Sequence, residues 1–152
     1  RASAPAKRLA ALVKLADAGV PTHVSIAPII PSITDEYLER ILEQAAARGV
    51  RSASWIVVRL PHEVAPLFRE WLDVHFHDRA AKVMGIIRSI RGGRDNDPDF
   101  FTRMKPQGVW ADLFRTRFRL ATKRLGMNAQ AFAALDCSGF RRPGAGGQLN
   151  LL

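Results

Sequence analysis

The chain has 152 residues, 47% hydrophobic and 24% charged, which excludes a wholly disordered chain and suffices for one domain with a buried core. Its formal charge of +9, from 23 Lys and Arg against 14 Asp and Glu, favours a polyanionic partner such as nucleic acid, because clustered cations gain free energy by releasing counterions. A single cysteine, Cys137, excludes an internal disulfide and a Cys-built metal site, and no apolar run approaches the roughly 20 residues of a membrane span, so a cytoplasmic protein with no membrane partner is expected.

The opening Arg-Ala-Ser-Ala-Pro-Ala-Lys is no signal peptide, and its lack of an initiating Met suggests a processed chain or a fragment. Ser3 is a candidate N-cap with Pro5 in the first turn, and Leu9, Leu12, Val13 and Ala16 recur at helical spacing until Gly19. The apolar stretch Thr22 to Ile30 reads as a strand covered on both faces. Thr34 or Asp35 caps the next helix, whose stripe is Leu38, Ile41, Leu42 and Ala45 and whose end is Gly49. A second strand, Ser52 to Leu60, follows. Gly19-Val20 and Gly49-Val50 thus each close a helix ahead of an apolar strand, and their spacing of 30 residues matches one βαβ unit of a parallel α/β sheet.

Beyond Pro61 the alternation stops. Val64 to Phe76 reads as a helix burying Leu67, Phe68, Trp71 and Leu72, and Asp78 caps another from Arg79 to Arg91, ended by Gly92-Gly93. Arg94 to Pro106 is a loop anchored by Phe100 and Phe101, and Trp110, Leu113, Phe114, Phe118 and Leu125 mark a last long helix. A flexible Arg-Arg-Pro-Gly-Ala-Gly-Gly stretch precedes the terminal Gln148-Leu149-Asn150-Leu151-Leu152. The expected organisation is therefore βα units over 1–62, a helical extension over 63–127 and a flexible tail over 128–152. Two strands alone leave open edges, so the chain reads as the back part of a larger barrel or as a protomer leaning on a partner.

Ala27-Pro28-Ile29-Ile30-Pro31-Ser32-Ile33-Thr34-Asp35 resembles the fifth-strand segment of radical S-adenosylmethionine (SAM) proteins, where Ala-Pro-x-Ile-Pro-Gly-x-Asn-Asp is usual. Arg59-Leu60-Pro61 looks like the sixth strand and its loop, and Phe68-x-x-Trp71-Leu72, Asp78-Arg79, Arg91-Gly92-Gly93, Arg103-Met104 and Arg117-Phe118 extend the likeness. Together they are similar to the DNA-repair-photolyase-like branch grouped with spore photoproduct lyase, over the C-terminal half of such a protein. The resemblance implies a partial (β/α) barrel completed by its N-terminal half, SAM and a 4Fe–4S cluster as cofactors of the full-length protein, and a mostly helical C-terminal extension. The family's C-x-x-x-C-x-x-C loop is absent, so this chain alone holds no cluster by cysteine ligation. Ser32 stands where Gly is usual, and Thr34 where Asn is usual.

By the same resemblance, Ile29 and Leu60 would give apolar and backbone contacts to the adenine, against an ordinary core role for both. Arg1 would pair with the SAM carboxylate. Arg59, a charge at the end of a buried strand, needs either an anionic ligand or an ion pair with Glu63 or Asp35. His62 reads as a proton carrier or, more often for a lone loop histidine, as a solvated or capping residue; His75 and His77 lack a third metal ligand, and Cys137 reads as a half-buried thiol ahead of a hydrogen-atom donor.

From Arg79 to Arg124, twelve Lys and Arg face four Asp, so +8 of the +9 lies there. Arg115, Arg119 and Lys123 share one helical face that either tracks a phosphate backbone or is simply solvated. Gln148, Leu149, Leu151 and Leu152 resemble the short motif by which bacterial DNA-repair proteins dock on the replicative sliding clamp. The leading expectation is the C-terminal part of a radical SAM enzyme whose full-length form cleaves SAM reductively and abstracts hydrogen from a substrate, nucleic acid being favoured. The alternatives are a non-catalytic nucleic-acid-binding or adaptor module, and an unrelated TIM-barrel enzyme.

Overall fold

The computed structural model describes residues 3–129 and 137–141. Arg1 and the expected clamp motif Gln148, Leu149, Leu151 and Leu152 lie outside the described residues, as does most of the tail.

Helix α1, Pro5–Asp17, starts on proline, whose fixed φ suits the first helical position. Its N-cap is Ala4, with no side-chain cap bond, so Ser3 does not cap it. Gly19 and Val20 close it by donating to the carbonyls of Ala16 and Leu15, both at 2.9 Å. The expected stripe is only partly covered. Leu9, Leu12 and Ala16 are half-buried and Val13 is exposed, because little packs against this helix besides α2.

Strands β1, His23–Ile29, and β2, Ser52–Val57, pair in parallel, with His23 opposite Ser52, Ser25 opposite Ser54 and Ile26 opposite Trp55. The register slips between Ile26 and Ile29, around the cis Ala27–Pro28 peptide. β1 is not buried on both faces as expected. Ile26 and Ile29 point into the core while His23, Ser25, Ala27 and Pro28 are exposed, because the helices cover one face only.

A 3₁₀ turn, Asp35–Tyr37, precedes α2, Leu38–Ala46. Neither Thr34 nor Asp35 caps it: the Thr34 hydroxyl accepts the Ile30 N–H at 2.8 Å, bracing the turn after β1 instead. Leu38, Leu42 and Ala45 are buried, but Ile41 is 37% exposed because it faces away from α5. Gly49, at φ +85°, is required twice over, since a Cβ there would lie 2.9 Å from Cβ of Ala16 on α1.

Helices α3, Val64–His75, and α4, His77–Ser89, form an antiparallel pair. α3 buries only Leu72 fully. Leu67 and Trp71 are exposed, and Trp71 stacks on half-buried Phe68 with centroids 5.6 Å apart. α4 begins two residues before Arg79 with Phe76 at the N-cap, so Asp78 is a first-turn residue and not the cap. Val83, Met84, Ile86 and Ile87 are its buried face.

The loop after α4 is not anchored by Phe100 and Phe101, which are 69% and 75% exposed. Polar ties hold it instead. Asp95 pairs with Arg69 and Arg88, the Thr102 hydroxyl donates to Asp97 at 2.6 Å, and Gln107 N–H donates to Ile90 O at 3.1 Å. Helix α5, Val109–Arg124, buries Ala111, Phe114, Ala121 and Thr122, while Leu113 is exposed.

Two apolar clusters meet at Trp55. One joins Val57, Val58 and Leu60 to α3, α4 and Phe114; the other joins Ile26, Ile29, Leu38, Leu42 and Val50 to Ala121 and Met127. Trp55 lies 6.4 Å from the rings of both Phe114 and Phe118. The protein is thus mixed α/β, with a two-stranded parallel sheet backed by helices.

The two sheet edges differ. Asn128, at φ +56°, accepts the Ala53 N–H at 2.8 Å and donates to Ala53 O at 3.1 Å, and its own N–H donates to Arg51 O. Its side-chain amide therefore stands where a neighbouring strand's peptide would be. At the end of β2, Arg91 caps carbonyls only, donating to those of Val57 and Val58. Among the described residues no strand pairs with the other edge of β1.

Candidate functional site

The C-terminal ends of β1 and β2 are shaped by arginines sent from the helical extension. Ser32, in the turn after β1, sits at φ +61°, and Arg79 of α4 donates to its carbonyl at 3.2 Å. Arg117 of α5 grips the next residues: it donates to both carboxylate oxygens of Glu39, at 2.8 and 2.7 Å, to Asp35 Oδ2 at 3.3 Å and to Asp35 O at 2.7 Å. Those hydrogen bonds hold the Glu39 carboxyl below its ordinary range and raise the Arg117 guanidinium.

Ile29 and Leu60 are each 1% exposed, so their side chains are core groups and only their backbone reaches the strand ends. The Ile29 carbonyl is already taken by the Val58 N–H at 2.9 Å. Arg59 forms neither expected ion pair. Asp35 is held by Arg117, and Arg59 Nη1 contacts Sδ of Met104 at 3.8 Å.

The bare sheet face carries a polar array that the sequence reading missed. The His23 ring bridges β1 to β2, with Nδ1 3.0 Å from Ser52 Oγ and Nε2 2.8 Å from Ser54 Oγ, and Ser54 Oγ lies 3.4 Å from Ser25 Oγ. A neutral imidazole donates through one nitrogen and accepts at the other, so it can satisfy one hydroxyl in each sense. The available signal was the period-2 placement of Ser52 and Ser54 in one strand and of His23 and Ser25 in the other.

Arg115, Arg119 and Lys123 do come together. They line an open groove of about 480 Å³ with Phe118, Thr122, Gly126 and Met127. Arg115 is paired to Asp112 and donates to Pro106 O, whereas Arg119 and Lys123 have no ion pair among the described residues. The arrangement suits an extended polyanion better than an enclosed small molecule.

For an iron–sulfur cluster the donors do not fit. Cys137 is exposed, not half-buried as expected, and no group of three His, Cys, Asp or Glu among the described residues is placed to hold a metal. His62, His75 and His77 are likewise exposed. No helix among the described residues is long and apolar enough to cross a membrane.

Known proteins add little. The chain is similar to an uncharacterized protein of Mycobacterium bovis and to two uncharacterized proteins of Mycobacterium tuberculosis, each 34% identical over 70 residues. That stretch is 45% of this chain and 21% of each relative, so the chain spans about a fifth of the length of the curated relatives it matches. No family model matches, and no solved structure matches.

Proposed function

We propose that this chain is the C-terminal part of a radical SAM iron–sulfur protein similar to the DNA-repair-photolyase-like branch. The observation that carries the reading is the sheet itself: among the described residues it has two parallel strands, helices on one face, a hydroxyl- and imidazole-bearing opposite face, and a β1 edge with no strand partner. Such a sheet is too small to stand as a barrel and is closed only on its β2 side, as a last strand would be. The matched stretch is 21% of each curated relative, so those relatives are longer than what they share with this chain.

In this reading the cluster, and the reductive cleavage of SAM that it drives, belong to the part of the longer protein that carries the cysteines. This chain supplies two βα units, a polar interior wall through His23, Ser25, Ser52 and Ser54, and strand ends ordered by Arg79, Arg91 and Arg117. SAM would meet the backbone at Ile29 and Leu60 and the Arg59 guanidinium.

The test is anaerobic reconstitution of the protein encoded by the whole reading frame, then assay for 5′-deoxyadenosine with SAM and a reductant. Product that depends on an upstream C-x-x-x-C-x-x-C is expected. A reading frame without that motif, or a reconstituted protein that leaves SAM intact, sinks the proposal.

The second reading, a nucleic-acid-binding module without catalysis, is favoured by the groove of Arg115, Arg119 and Lys123. It predicts salt-dependent binding by this chain alone. The sliding-clamp partner remains a proposal on the Gln148 to Leu152 motif. It is tested by fluorescence anisotropy of that peptide against purified clamp, where absence of binding removes it.

A further inference from the structure

The Arg59 and Arg91 guanidiniums and the Arg103 backbone gather just beyond the C-terminal end of β2, and none of the three arginines has an ion pair among the described residues. Arg91 is only 7% exposed; its guanidinium donates to Val58 O at 2.8 Å, Val57 O at 3.5 Å and Arg103 O at 3.1 Å. Arg59 directly follows Val58, and its Nη1 contacts Met104, the neighbour of Arg103. Arg103 in turn lies over the Phe100 ring, 4.7 Å from its centroid. In all three residues the Nε–H is buried with no acceptor among the described residues.

Several other guanidiniums of this extension are neutralised by carboxylates. Asp95 serves Arg69 and Arg88, Glu39 and Asp35 serve Arg117, and Glu43 serves Arg124. Asp97 is the one acid whose charge is felt at Arg91, but its oxygens are occupied by the Thr102 hydroxyl and the Asp99 N–H. Burial and the charge of Arg59 both weaken the hold of Arg91 on its proton. An arginine stays charged even so, and a buried charged donor without an acceptor is costly. An oxyanion supplies what is missing, because several oxygens around one centre accept from the Nε and Nη groups of a planar fork. The C-terminal ends of parallel strands are also where α/β sheets take ligands.

We infer that Arg59, Arg91 and Arg103 form a binding site for a phosphate group at the end of β2, with Arg91 as its fixed floor and Arg59 and Arg103 as its two half-buried arms. The shared chemistry is the phosphoryl oxygen, carried either by a phosphomonoester or by a phosphodiester backbone. The site does not depend on an iron–sulfur cluster or on SAM.

The experiment observes the arginine Nε–H signals of the full 152-residue chain by nitrogen-15 NMR at constant ionic strength. Inorganic phosphate stands for the monoester, a short single-stranded oligothymidylate for the diester, and acetate for carboxylates. Saturable shifts of the Arg59 and Arg103 signals with phosphate or with the oligonucleotide are expected, the tighter of the two naming the source. Arg59→Gln and Arg103→Gln should each weaken that binding at least tenfold. Shifts that rise without saturating, equal shifts with acetate, or unchanged affinity in both variants overturn the site. If the variants do not fold, the wild-type titration decides alone.

Discussion

Ser32 adopts a left-handed backbone that glycine enters freely and other residues enter at a cost of about 1 kcal/mol. The resemblance placed Gly at this position, and the φ of +61° supplies the physical reason. Ser32→Gly is therefore expected to stabilise the chain by about 0.5–1 kcal/mol, read as a higher urea midpoint at unchanged slope.

Glu39 is tied to Arg117 across 78 residues of sequence, and no local pattern announces that pairing. The same distance effect bears on one of the expected Arg59 pairs: Asp35 is bonded instead to Arg117, a cation on the last helix. A carboxyl with a depressed folded pKa contributes stability above its unfolded value of about 4.3 and loses it as pH falls through the lower folded value. Stability should thus fall as pH drops from about 5 to 3, and Glu39→Gln should flatten part of that limb. The side chains are partly exposed, so the difference at neutral pH is about 1 kcal/mol, measurable by urea titration at several pH values.

Among the elements, helix and strand positions were readable because Gly-Val ends and apolar runs are local signals. Burial was readable only where a partner exists. β1 has the continuous apolar run of a doubly covered strand yet is covered once, and α1 has an apolar stripe with little against it. Phe100 and Phe101 show the opposite failure: their hydrophobicity predicts anchoring, but Asp95, Asp97 and Thr102 hold that loop with local hydrogen bonds. Asn128 was invisible, since its role depends on reaching Ala53 from 75 residues away. Asn128→Ala removes two hydrogen bonds at the β2 edge and should cost about 1–2 kcal/mol, with faster hydrogen exchange of the Ala53 amide as the local signature. An unchanged exchange rate there would remove Asn128 from that role.

For the whole molecule, the positive charge is concentrated enough to make a prediction with a slope. If Arg115, Arg119 and Lys123 track a phosphate backbone, reversing all three to Glu weakens oligonucleotide binding at low salt. It also lowers the slope of log K against log salt by about 2 to 3. Equal slopes in wild type and variant would assign those residues to a solvated face. The two-stranded parallel sheet was legible in advance from the pair of apolar strands, each following a helix closed by Gly-Val. Which edge would be open was not, because it depends on where Asn128 and Arg91 arrive.

That asymmetry also limits how copies of the chain can associate. Sheet margins recruit one another, but along β2 the Asn128 amide takes the N–H and C=O of Ala53 and the Arg91 guanidinium takes the carbonyls of Val57 and Val58. Recruitment is left to β1, so two copies joined back to back through it present no further margin, and assembly halts at a pair where an unguarded ribbon would run on into fibres. Light scattering on Asn128→Ala, with one of the two guards gone, should show species beyond that pair.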